Sequence, residues 1–87
     1  MHKILEFTIE QTTLTKNELQ QTLLEDDKVV SVIDLDEVTL EGTVNEFQVR
    51  LEATTNVFGS IDQIPNELEE QEHIILVDKE DVTISDP

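Results

Sequence analysis

Three separate stretches of the chain alternate between apolar and polar residues. Leu5, Phe7 and Ile9 alternate with Glu6, Thr8 and Glu10, and Val38 and Leu40 with Glu37, Thr39 and Glu41. Phe47, Val49, Leu51 and Ala53 alternate in the same way with Glu46, Gln48, Arg50 and Glu52. A change of character at every second residue is the period of a β-strand with one face buried and one in water. Two further stretches, residues 29–35 and 74–77, are mostly aliphatic. Such runs are expected of strands covered on both faces or lying at the centre of a sheet.

This patterning answers a question that composition raises. The chain has 87 residues, 21 Asp and Glu against 5 Lys and Arg, a formal charge of −16 and only 37% apolar residues. High charge with low hydrophobicity is the usual mark of disorder, yet a disordered acidic tail has no reason to keep a period of two. We therefore read residues 1–87 as one folded domain, with a core limited by its size.

One helix is signalled over about residues 15–26. Thr15 and Glu18 have the spacing of a capping box, and Leu19 and Leu23 recur one helical turn apart. Glu25, Asp26 and Asp27 then place three negative charges at the C-terminal end of the helix dipole, which disfavours continuation. A short second helix is expected over about residues 65–71, with Pro65 at an early position and Leu68 as its apolar contact. Residues 82–84 either extend the last strand past a turn at Asp78, Lys79 and Glu80 or form a short extra one. The fold class is α+β: an antiparallel or mixed sheet of about five strands, with the main helix on one face.

Between Gly42 and Glu46 the chain either turns a hairpin at Val44 and Asn45 or ends a strand and starts a helix. The hairpin is preferred because Val49, Thr54, Thr55 and Val57 are β-branched. Under the second option, residues 38–44 with Arg50, Ala53 and Asn66 resemble the strand-glycine-strand core of a BON domain. That resemblance implies a lipid- or protein-binding module. It departs from the family pattern in needing a deletion in the second helix and a helix where the residues alternate like a strand.

Catalytic and cofactor readings find no residues to carry them. With no Cys, disulfides, zinc thiolates and thiol nucleophiles are absent. His2 and His73 are not spaced as ligands, Ser31, Ser60 and Ser85 lie in no glycine elbow, and there is no glycine-rich phosphate loop. Carboxylate pairs are so abundant that none is informative as acid and base. Asp34, Asp36 and Glu37, or Glu25, Asp26 and Asp27, would offer oxygen ligands to calcium. Neither group continues as an EF-hand loop, since Val38 and Thr39 occupy the next ligand and glycine positions after Asp36. No enzyme activity, cofactor or metal is expected. No apolar run approaches the twenty or so residues of a membrane span, and Glu6 interrupts any leader-like start after His2 and Lys3. A soluble, cytoplasmic protein is expected.

The surface remains. Net charge falls from −3 over residues 1–30 to −5 over 31–60 and −8 over 61–87. A polyanion gains nothing by releasing counterions from another polyanion, so direct contact with nucleic acid or an anionic membrane is disfavoured. Solubility alone is commonly served by a net charge of magnitude about 2 to 8, and self-repulsion at −16 destabilises the compact state. Glu6 and Glu10 share a strand face, as do Glu37 and Glu41, and Glu46 and Glu52, with same-face neighbours about 6.7 Å apart. Glu67, Glu69, Glu70 and Glu72 add a ridge, and Asp78, Glu80 and Asp81 a triplet. Duplex DNA carries the same sign in rows.

The expected function is a small acidic inhibitor that occupies the basic nucleic-acid-binding groove of a host protein or nuclease complex as a DNA or RNA mimic. Its contacts would be Glu37, Glu41, Glu46, Glu67, Glu69, Glu70, Glu72, Asp78, Glu80 and Asp81. Phe58, after Val57 and before Gly59, is either its apolar anchor or a core residue. In size, acidity and lack of catalytic residues the chain is similar to anti-CRISPR proteins, anti-restriction proteins and uracil-DNA glycosylase inhibitor, all phage-type counter-defence proteins; the likeness is of profile, without a shared motif. The alternative is an acidic interaction module without mimicry, such as an immunity or antitoxin-like protein or a small assembly subunit. Either way, mutual repulsion is expected to raise carboxylate pKa values in the fold.

Overall fold

The structure, a computed structural model, describes residues 2–38, 45–54 and 61–87, and only the backbone of residues 38, 45, 75, 76 and 79. Its elements are β1 (His2–Thr12), α1 (Lys16–Leu24), β2 (Val29–Val38), β3 (Asn45–Thr54), a 3-10 turn (Ile61–Gln63) leading into α2 (Ile64–Glu69), and β4 (Ile74–Ser85). The strands form one antiparallel sheet in the order β2-β3-β1-β4. This is the expected α+β class.

The two most regular alternating stretches are the central strands. Leu5, Phe7 and Ile9 of β1 lie opposite Leu51, Val49 and Phe47 of β3, and all six are buried in one cluster. Burying a side chain of this size contributes about 1.5–3 kcal/mol. Both helices cover that face through Leu19 and Leu23 of α1 and Ile64 and Leu68 of α2, which belong to the same cluster. The other face carries the polar partners of the alternation and has no helix over it among the described residues.

The helix signals act as expected. The Thr15 hydroxyl accepts from the backbone N–H of Glu18 at 3.3 Å, and the Glu18 carboxylate accepts from the backbone N–H of Thr15 at 3.1 Å. The box closes the N-terminus of α1, and Glu25 ends it. Pro65 stands in the first turn of α2. Before α1, the buried Thr12 donates its hydroxyl to the carbonyl of His73 at 2.7 Å and accepts from the N–H of Leu14 at 3.1 Å, so the end of β1 is fastened to the start of β4.

The aliphatic runs are placed differently from expectation. Residues 29–35 and 74–77 belong to β2 and β4, the two edges of the sheet, and not to its centre. The reason is visible in the register of β2. Val29 lies opposite Ala53, Ser31 opposite Glu52, Val32 opposite Leu51, Asp34 opposite Arg50 and Leu35 opposite Val49. Val30 and Ile33 are thus extra residues, one in each of two bulges. Both are exposed, at 46% and 44%, while Val29 and Leu35 are buried and Val32 packs against the core. The two bulges turn a period of two into a period of three, and that is why the run reads as continuously apolar.

Residues 29–35 and Glu37 and Val38 form one strand and not two, and Leu40 and Glu41 lie outside the described residues. β2 and β3 are adjacent and antiparallel, as the hairpin reading requires, with Val38 opposite Glu46; of the two expected turn residues, Val44 is outside the described residues and Asn45 is not in the turn but begins β3. β3 is a strand where the BON resemblance needs a helix. β4 continues through residues 82–84 after a wide bulge: Thr8 faces Asp78, but Glu6, two residues back, faces Thr83. An ion pair between Lys3 and Asp86 holds its C-terminal end to β1.

Candidate functional site

The helix-free face of the sheet is organised in rows that cross all four strands. One row runs Asp34, Arg50, Glu6, Thr83, and the next runs Asp36, Gln48, Thr8, Asp78, in the order β2, β3, β1, β4. Residues in register across antiparallel strands project to the same side. Rows lie about 6.7 Å apart and strands about 4.8 Å. Between them is a shallow trough of about 390 Å³, lined by Asp34 and Asp36 of β2, Gln48 and Arg50 of β3, Glu6 and Thr8 of β1, and Asp81 and Thr83 of β4.

Charge is not spread evenly over this face. In its middle, the Arg50 guanidinium lies 3.3 Å from the Glu6 carboxylate, beside the uncharged pair Gln48 and Thr8. Toward one end, His2 Nδ1 is 2.5 Å from a Glu52 carboxylate oxygen. The margins are acidic: Asp34 and Asp36 on β2, Asp78 and Asp81 on β4. These two lines are three strand spacings apart, about 14 Å. The width of the DNA major groove between its phosphate backbones is about 12 Å.

At the other end of the face Glu10, Glu46 and Asp78 converge from three strands. Partial burial, then the charges of Asp78 and Glu46 and a hydrogen bond shared with Asp78, raise the Glu10 pKa above its ordinary 4.5. Repulsion therefore acts here as expected. It is reversed at two other carboxyls. The backbone N–H of Thr15, then its side chain, holds Glu18 below 4.5. At Asp26, burial pushes upward but is outweighed by the backbone N–H of Lys28, a hydrogen bond to Glu67 and the Lys28 charge, so its pKa is lowered.

The expected contact residues fall into three groups. Asp78, Asp81 and Glu46 lie on the open face, with Glu80 exposed in the bulge of β4, its N–H donating to Asp78 at 3.1 Å. Glu37 is opposite the core residue Phe47, hence on the helix side, exposed at the sheet margin. The ridge on and after α2 is also on the helix side. Glu67 accepts from Lys28 through both oxygens, at 2.9 and 2.8 Å, and Glu69 accepts from the backbone N–H of Val77 at 3.1 Å. Glu70 and Glu72 are exposed. Glu41, Val57 and Phe58 lie outside the described residues.

Asp34 and Asp36, which the sequence suggested only as loop ligands for calcium, are part of the open face. Their signal is the resumed alternation around Leu35, hidden by the two bulges before it. Among the described residues, no three His, Asp or Glu side chains are grouped to hold a metal ion, and no helix is long and apolar enough to cross a membrane. No family model, curated protein or solved structure matches the chain.

Proposed function

We propose that this protein is an inhibitor that lays the open face of its sheet into a basic nucleic-acid-binding groove of a host protein and excludes the nucleic acid by competition. The observation that carries the reading is the pair of acidic margins, Asp34 and Asp36 against Asp78 and Asp81, about 14 Å apart across a centre neutralised by Arg50. Two lines of negative charge at that separation resemble the two backbones beside a major groove. A hydrogen-bonded sheet holds them without the freedom of a disordered acidic chain, which lowers the ordering cost of binding. The partner is a basic protein, and the complementary fields speed encounter and make it salt-sensitive.

Two sets of substitutions separate this face from the ridge after α2. With a partner captured from host cells, Asp34→Asn/Asp36→Asn/Asp81→Asn weakens binding at least tenfold, while Glu70→Gln/Glu72→Gln changes it less than twofold. Both sets replace exposed side chains. The opposite ranking would move the site to the helix side.

A further inference from the structure

The outer edge of β2 is a second surface, distinct from the open face. β2 pairs with β3 along one side, and among the described residues no strand pairs along the other. An edge strand presents unpaired N–H and C=O groups. The bulges confine irregularity to residues 29–34. From Asp34 to Val38 the register runs one to one against Arg50 to Glu46, so every second residue of that stretch turns its backbone groups outward without interruption. The opposite edge lacks this regularity, because β4 is interrupted between Asp78 and Thr83.

Beside this edge lies a shallow groove of about 270 Å³. Lys16 and Gln20 of α1 form one wall and residues 32–36 of β2 the other. A groove between an edge strand and a helix is the setting in which an extended peptide adds as a further strand. Ile33 is 44% exposed in it, and Asp34, Asp36 and Glu37 are exposed along the strand.

We propose that this edge accepts an extended, basic segment of a partner protein as a fifth strand, pairing with residues 34–38 and facing α1. Lys or Arg at alternate positions meets Asp34 and Asp36, which share one side of the strand, and an aliphatic side chain meets Ile33. A second copy of this chain is the poorer occupant. Antiparallel pairing of two β2 edges sets Asp and Glu against Asp and Glu in chains of charge −16, and like charges directly opposite are destabilising. The inference shares Asp34 and Asp36 with the open face but does not rest on the proposed function, since its readout is backbone pairing at the edge of β2.

The test is an NMR titration of the full chain with a heptapeptide of alternating Lys and Val, read by amide shifts and hydrogen exchange. Strand addition slows exchange at alternate amides within residues 34–38. Ile33→Lys, at an exposed position, weakens binding at least tenfold, and Glu10→Gln/Glu46→Gln on the open face leaves the alternate protection in place. Three results would overturn the proposal. They are shifts without alternate protection, equal affinity for Ile33→Lys, and protection that appears without peptide and grows with protein concentration, which is self-association.

Discussion

The Lys28 ammonium, on a side chain 6% exposed, is held 2.9 and 2.8 Å from the two carboxylate oxygens of Glu67, 39 residues further along the chain. Asp26 stands 3.4 Å away on its other side. Burial alone pushes the Lys28 pKa down, but the hydrogen bond to Glu67 and the charges of Asp26 and Glu67 hold it above 10.5. One cation thus joins the loop before β2 to α2 and keeps two carboxylates from facing each other uncompensated.

Removing that cation is expected to destabilise the fold. Hydrogen bonds to charged groups contribute about 1.5–3 kcal/mol. Because Glu67 is 41% exposed, the lower half of that range applies to Lys28→Met. Urea denaturation measures it, and a double-mutant cycle with Glu67→Gln should show coupling between the two sites. Independent, additive effects would mean that the contact contributes nothing.

Glu10 predicts a response of opposite sign. Its folded pKa is raised above 4.5, so the stability associated with its protonated form is fully present below pH 4.5 and is lost as pH rises through the folded value. Glu10→Gln should therefore melt at a higher temperature than the parent at pH 7 in low salt. The difference should close in acid and shrink in salt. Asp26 and Glu18 work the other way: their lowered pKa values contribute stability above the ordinary values of 3.8 and 4.5, and it is lost as pH falls through the folded ones. A Glu10→Gln variant no more stable than the parent at pH 7 would show that the three carboxylates do not repel.

The bulged register of β2 makes a third prediction. Val30→Thr and Ile33→Thr alter exposed side chains and should change stability by less than about 0.5 kcal/mol. Leu35→Ala, two residues beyond Ile33, empties a core position and should cost about 2–5 kcal/mol. Equal costs at Ile33 and Leu35 would contradict the register.

These residues also mark where the sequence was legible. α1 could be read because a capping box and a repeat of four are local signals, complete within Thr15 to Leu23. The central strands could be read because β1 and β3 keep an unbroken alternation against one covered face. β2 was legible as a strand but not in its register or its place at the edge, because a bulge shifts the parity of everything after it and leaves no mark of its own in an aliphatic run. One margin of the acidic face was hidden for the same reason: Asp78, Asp81 and Glu46 were visible, Asp34 and Asp36 were not. The contacts of Glu67 and Glu69 with Lys28 and Val77 depend on tertiary packing, so a ridge of exposed charge was expected where two of the four carboxylates serve the fold.

The most direct test of the proposed function is displacement. The protein is immobilised, a partner is captured from host lysate, and the complex is challenged with duplex DNA or RNA at constant ionic strength. Mimicry predicts that the captured protein binds nucleic acid and is released as the nucleic acid saturates it, with the Asp34→Asn/Asp36→Asn/Asp81→Asn variant capturing little. A partner that stays bound to this chain under saturating nucleic acid would contradict mimicry and leave an acidic interaction module in its place.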